Sequence, residues 1–182
     1  EAIPGGNGGG IYSSLATLSV VRSTIADTNA TWGFSDTGDG GGVYVDISSG
    51  IGSADFTDTT FDGNGADIGN GAGGGLVVFG GGLVGGSVPV HGAADGEVTL
   101  NRVTLSNNQA VYGGGLFVDR ATVSLTNSTV ANNTAQGTNS DGGGVYLYSA
   151  VLNLTHVTIA YNHTTASTGG IYVTTEDVSN ST

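Results

Sequence analysis

The residues best suited to chemistry in this chain are carboxylates in short polar loops. Asp36-Thr37-Gly38-Asp39 and Asp62-Gly63-Asn64-Gly65-Ala66-Asp67 place oxygen donors at close spacing. Calcium takes such hard donors, so Asp36, Asp39, Asp62 and Asp67 are the metal candidates and calcium the cofactor candidate. A second group, His91, Asp95 and Glu97, lies in a glycine-rich apolar stretch that begins at Phe79 and passes through Leu83 and Val84. An imidazole with two carboxylates could hold a metal or act as acid and base on a glycan, but the spacing fits no specific ligand motif. Apolar glycine-rich segments more often become ordered against a partner. Phe79, Leu83, Val84, His91, Asp95 and Glu97 are therefore expected to form a partner or ligand loop, and no residue is assigned a catalytic role.

What positions these groups is an internal repeat. A glycine head followed by an apolar residue recurs at Gly8-Gly9-Gly10-Ile11, Gly40-Gly41-Gly42-Val43, Gly73-Gly74-Gly75-Leu76, Gly113-Gly114-Gly115-Leu116, Gly142-Gly143-Gly144-Val145 and Gly169-Gly170-Ile171. Between heads comes a Thr-apolar pair, at Ile25, Phe61, Leu105, Val130 and Ile159, with a further apolar residue five positions earlier at Val20, Phe56, Leu100, Leu125 and Leu154. Fixed offsets over variable repeat lengths imply a shared register, and the period-2 alternation implies strands. A single repeat cannot bury its apolar face, whereas stacked repeats can. The spacing predicts an all-β, single-stranded right-handed parallel β-helix, a β-solenoid of about five coils of three short strands, forming one domain over 1–182. Inserted loops are expected at about 46–54 and 79–97, at the same corner of adjacent coils. Three residues after the apolar member stand Asn64, Asn108, Asn133 and Asn162, with Thr28 in the first repeat; these are expected to form an internal asparagine ladder in which buried amides satisfy one another.

The pairing of a Gly-Gly-x-Ile type head with a Phe-x-x-Asn type element, the latter literal at Phe61-Asp62-Gly63-Asn64, resembles the repeats of polymorphic outer-membrane autotransporter passengers and the wider group of right-handed β-helix repeat proteins. The likeness covers Gly8 to about Val173 and implies a surface adhesin, passenger or cell-envelope role. Gly63-Asn64-Gly65-Ala66-Asp67 is similar to part of the RTX-type calcium nonapeptide, but it occurs once. β-Helix enzymes on acidic polysaccharides resemble one another in needing clustered carboxylates and basic residues that hold the substrate. Here Arg22 and Arg102 fall at equivalent positions with Asp58 between them, which reads as a surface ion-pair stack.

Composition narrows the function classes. Fifteen acidic residues face three arginines, lysine is absent and the net charge is -12, so a polyanion such as nucleic acid would be repelled. No apolar run is long enough for a membrane-spanning helix, and cysteine is absent. Glycine supplies 35 residues, and Ser, Thr and Asn stand where a cytosolic protein would carry Lys and Glu, a profile that fits an extracellular or cell-surface protein. Asn-x-Ser/Thr sequons make Asn29, Asn127, Asn132, Asn153 and Asn180 candidate glycosylation sites, while Asn162 is expected to stay unmodified inside the ladder. The chain shows no capping element for the strand edges of its end coils, and a start at Glu1 fits a processed product or a fragment. The expected partners are copies of the chain stacked head to tail, or further coils of a longer chain, with glycans as candidate ligands. The expected role is an extracellular structural subunit and not an enzyme, with an adhesin or passenger fragment as the alternative and a polysaccharide-active enzyme behind it.

Overall fold

The structure, a computed structural model, describes residues 7–30, 38–48, 52–66, 70–80 and 97–175. Among these residues there is no helix, and the strands form four parallel sheets, one of six strands and three of five. The fourth coil shows the plan: Leu116–Asp119 in sheet A, Thr122–Thr126 in sheet B, Thr129–Ala131 in sheet C and Thr134–Ala135 in sheet D. Each strand hydrogen-bonds its counterpart one coil away, so the chain is a parallel β-helix. A crossover between parallel strands of one sheet is right-handed in nearly all proteins.

The repeat register of the sequence is the register of the sheets. Ile11, Val43, Leu76, Leu116, Val145 and Ile171 stack in sheet A. Val20, Phe56, Leu100, Leu125 and Leu154 stack in sheet B, and Ile25, Phe61, Leu105, Val130 and Ile159 in sheet C. All of these side chains except Leu154 belong to one core or pack against it, and Phe56, Phe61, Leu100, Leu105 and Leu116 are fully buried in it. Each such burial stabilises by about 1.5–3 kcal/mol.

Sheet D corrects the expected three strands per coil to four. Its strands have two residues each, and the second places Ala30, Ala66, Ala110 and Ala135 inside. Two residues are too few to show alternation, which is why the sequence pattern left them in the turn. The corners are single residues with left-handed backbone: Arg22, Asp58, Arg102, Asn127 and His156 between sheets B and C, and Asp27, Gly63, Asn107, Asn132 and Tyr161 between C and D. Asp and Asn tolerate this conformation better than other side chains. The flanking strands of the two longer segments end at Asp46 and Phe79 in sheet A and resume at Ser53 and Glu97 in sheet B.

The asparagine ladder runs through the core side of the C-to-D corner. Asn64 Nδ2 donates to Asn108 Oδ1 at 3.0 Å, Asn108 Nδ2 to Asn133 Oδ1 at 2.9 Å, and Asn133 Nδ2 to Asn162 Oδ1 at 3.0 Å. The other amide hydrogen of each goes back one coil, to the carbonyls of Ile25, Phe61, Leu105 and Val130. Each Oδ1 also accepts the backbone N–H of the preceding rung, from Thr28, Asn64, Asn108 and Asn133. Every polar atom of a central rung is thus satisfied, which a buried amide requires.

The three head glycines have three different causes. Gly113 and its equivalents hold left-handed backbone, with φ 61 at Gly113. A Cβ on Gly114 would lie 2.5 Å from the carbonyl oxygens of Gly143 and Thr134, because sheet D passes directly beside it. A Cβ on Gly115 would meet Asn133 Nδ2 at 2.9 Å and the Gly144 oxygen at 2.8 Å. The third glycine therefore makes room for the ladder, and head and asparagine form one device.

Asn133→Ala should lower stability by about 3 kcal/mol or more, since it strands buried donors and acceptors on both neighbouring rungs. Gly115→Ala should be strongly destabilising, while Gly170→Ala, where a Cβ meets nothing within 4 Å, should stay within about 0.5 kcal/mol. Urea unfolding of the three variants checks the ranking; equal effects at Gly115 and Gly170 would refute the steric account.

Candidate functional site

Of the four metal candidates, Asp39 and Asp62 lie among the described residues. Asp39 precedes the head of sheet A, where its Oδ1 accepts the Ala72 N–H at 2.8 Å. Asp62 ends a strand of sheet C and accepts from the Ser106 hydroxyl and from Asn107 Nδ2, both at 2.7 Å. Those two hydrogen bonds hold its carboxyl below the ordinary range. Asp36 and Asp67 lie outside the described residues. Among the described residues no group of three or more His, Cys, Asp or Glu side chains is placed to hold a metal ion.

The expected partner loop is described only at its ends. Phe79 closes a strand of sheet A and Glu97 opens one of sheet B, where it accepts the Ser124 hydroxyl at 2.9 Å. Leu83, Val84, His91 and Asp95 lie outside the described residues, as does Asn180. Of the other sequons, Asn29, Asn127, Asn132 and Asn153 are exposed, and Asn162 sits in the ladder. Arg102 pairs with Asp58 through two nitrogens, at 2.5 and 3.0 Å, and the bonds from Arg102 hold the Asp58 carboxyl low. Both side chains are well exposed, so the pair contributes little.

A feature not singled out in the sequence lies on the outer face of sheet A. The residue after each first-strand anchor points outward, and the stacked series is Tyr12, Tyr44, Val77, Phe117, Tyr146 and Tyr172. Tyr12 and Tyr44 stack with centroids 5.6 Å apart, Phe117 and Tyr146 at 5.2 Å, and Tyr146 and Tyr172 at 5.1 Å. The signal was present in the head motif, where an aromatic follows the aliphatic residue in five of six copies. Beside Val77 the face sinks into a cleft of about 260 Å³, lined by Asp39, Tyr44, Ala72, Phe79, Tyr112, Phe117 and Asp119 among others.

Charge and burial act together on this face. Burial, then the carboxylates of Asp39, Asp46 and Asp119, push the Tyr44 hydroxyl well above the ordinary phenol range. Burial likewise pushes the Tyr146 hydroxyl up to about 12, with Tyr172 and Asp141 adding to it. At Asp46 burial works upward, but hydrogen bonds from Ser48 and Ser14 outweigh it and leave the carboxyl lowered. Arg120 donates to Asp119 Oδ2 at 2.8 Å and lies over the rings of Phe79 and Tyr148, at 5.9 and 5.7 Å. The cleft therefore joins flat apolar walls to carboxylates fixed by the scaffold, an arrangement for binding a ring bearing hydrogen-bond donors.

No family model, curated protein or solved structure matches the chain.

A phenol whose folded value is raised is stabilising below its unfolded value and loses that contribution as the pH rises toward the folded one. Ultraviolet titration should show Tyr146 ionising near 12, and Tyr146→Phe should blunt the loss of stability above the ordinary phenol range. Ionisation of all seven tyrosines in one unperturbed step, with the fold intact by circular dichroism, would contradict this.

Proposed function

We propose that the chain is a structural subunit of an extracellular or cell-surface filament or envelope, in which the coils of one copy continue onto those of the next, head to tail. The observation that carries this is the opening of the core at the last coil. Leu154 is 43% exposed at the position where Leu125 is 1% and Leu100 0% exposed. Val173 is 61% exposed where Leu147, its register partner, is 4%. An apolar column that ends in exposed Leu and Val is stabilised by another coil in the same register.

The strands at the two ends suit such a continuation. Thr17–Val21 and Thr24–Ala26 edge sheets B and C at one end, and Val151–Thr155 and Thr158–Ala160 edge the same sheets at the other. All run in the same direction, so a parallel ladder can cross from copy to copy. A contact between two different surfaces propagates as an open fibre, and the acidic surface disfavours lateral clumping. Further coils of a longer chain would cover the same edges by the same chemistry. An adhesin that binds a glycan is the second reading, favoured by the aromatic cleft. Turnover of a polysaccharide is less well supported, because Asp39 and Asp119 are each engaged with the scaffold, by the Ala72 N–H and by Arg120, whereas glycosidic cleavage needs a pair of carboxyls free to act.

Sedimentation and negative-stain microscopy over rising concentration should show rods that lengthen, and Leu154→Lys should abolish them while leaving thermal unfolding of the monomer within a few degrees. A strictly monomeric species at high concentration would overturn the proposal.

A further inference from the structure

The outer aromatic rank of sheet A has one missing ring. Wherever rings occupy adjacent rungs of this rank they stack, at 5.6, 5.2 and 5.1 Å between centroids. In the third coil Val77 takes the ring's place, between Tyr44 and Phe117. The neighbouring rank, just before the glycine heads, dips at the same coil. There Ala72 lies between Asp39 and Tyr112, its carbonyl accepting the Gly40 N–H and the Tyr112 carbonyl accepting the Gly73 N–H. Two small side chains side by side in one coil remove the middle rung of an otherwise stacked wall.

Tyr44 and Phe117 stand two rungs apart, about 9.5 Å at the usual strand spacing. The Phe79 ring, on the same strand as Val77, already stacks on Tyr44 at 6.5 Å, and Tyr44 is only 8% exposed, so the open part of the cleft is bounded by the half-buried rings of Phe79, Tyr112 and Phe117. The floor is closed, with Val77 2% and Ala72 7% exposed. The volume of about 260 Å³ lies below that of sites for drug-sized ligands, and suits a single ring.

We propose that this slot binds one neutral pyranose unit of a glycan. The half-buried rings of Phe79 and Phe117 in the lining offer flat faces that match the C–H faces of a sugar ring. The carboxylates of Asp39 and Asp119 and the exposed amide of Asn70 stand at the lining, where they can accept hydrogen bonds from ring hydroxyls. Two carboxylates in the lining and a net charge of -12 disfavour a uronate or a sulfated sugar. An aromatic side chain would stack equally well but has few donors for two carboxylates. The site lies in the middle coils, remote from the open end of the core, so it stands or falls independently of end-to-end assembly.

Saturation-transfer NMR and calorimetry of the full chain with a panel of neutral methyl hexopyranosides and their oligomers test this, with methyl glucuronide and N-acetyltyrosine amide as the acidic and aromatic probes. At least one neutral hexoside should saturate the site. Two variants fill the slot from different sides, Val77→Phe completing the outer rank and Ala72→Tyr the inner one. Each should weaken that binding about tenfold or more by putting a ring where the ligand's ring would stack, with circular dichroism reporting that the β-helix is kept. Should Val77→Phe fail to fold, Ala72→Tyr carries the comparison. Absence of saturation by every neutral hexoside, tighter binding of the glucuronide or of the tyrosine amide, or unchanged hexoside binding by a folded filled variant would overturn the proposal.

Discussion

The column of asparagine amides inside the C-to-D corner is the interaction on which the rest of this β-helix depends. Each central amide makes four hydrogen bonds, two donated and two accepted, and so ties three consecutive coils together at one point. An amide buried without those partners would cost more than the bonds contribute. The ladder therefore tolerates one vertical register only. A slip of one residue would put Asn64 against an apolar neighbour and Phe61 at the surface. The same demand reaches into the heads, where Gly42, Gly75, Gly115 and Gly144 each sit where a Cβ would crowd a ladder amide.

Much of this architecture was legible in the sequence because a solenoid writes its contacts as repetition. The inward series through Ile11, Val20 and Ile25 could be read from offsets alone, and the sheets reproduce it rung for rung. The ladder was legible for the same reason, including Thr28, whose backbone N–H and hydroxyl both bond Asn64 Oδ1 in place of an amide. The fourth strand was not, since a two-residue element has no periodicity to detect. Its only trace is the alanine at Ala30, Ala66, Ala110 and Ala135, which is small because sheet D closes tightly against the heads.

The candidate site was less legible, for a physical reason. Motifs for metal ligation or catalysis are read as residues near in sequence, and Asp36-Thr37-Gly38-Asp39 and Asp62-Gly63-Asn64-Gly65-Ala66-Asp67 drew attention on that ground. In the fold, Asp39 lies before the head of sheet A and Asp62 at the end of a strand of sheet C, each engaged with a neighbouring coil. The cleft on sheet A is assembled instead from residues one repeat apart, Tyr44, Val77 and Phe117, which only the stacking makes neighbours. What marks it is an interruption, a valine and an alanine in ranks where adjacent coils carry larger groups. Reading solenoid sequences by column, and asking where a column breaks, would find such places directly.

The amide column also has a sense of travel. Asn64, Asn108 and Asn133 each give one side-chain proton toward the C-terminal coil, and Asn108, Asn133 and Asn162 each take one from the asparagine on the N-terminal side. Hydrogen bonds aligned in one direction polarise one another, so the interior behaves as a wire with a positive and a negative pole, and its two tips are chemically unlike. A coil meeting the Asn162 tip must offer an oxygen there, so a neighbour turned end for end would set donor against donor. Whatever continues this rod is thereby told which way to point.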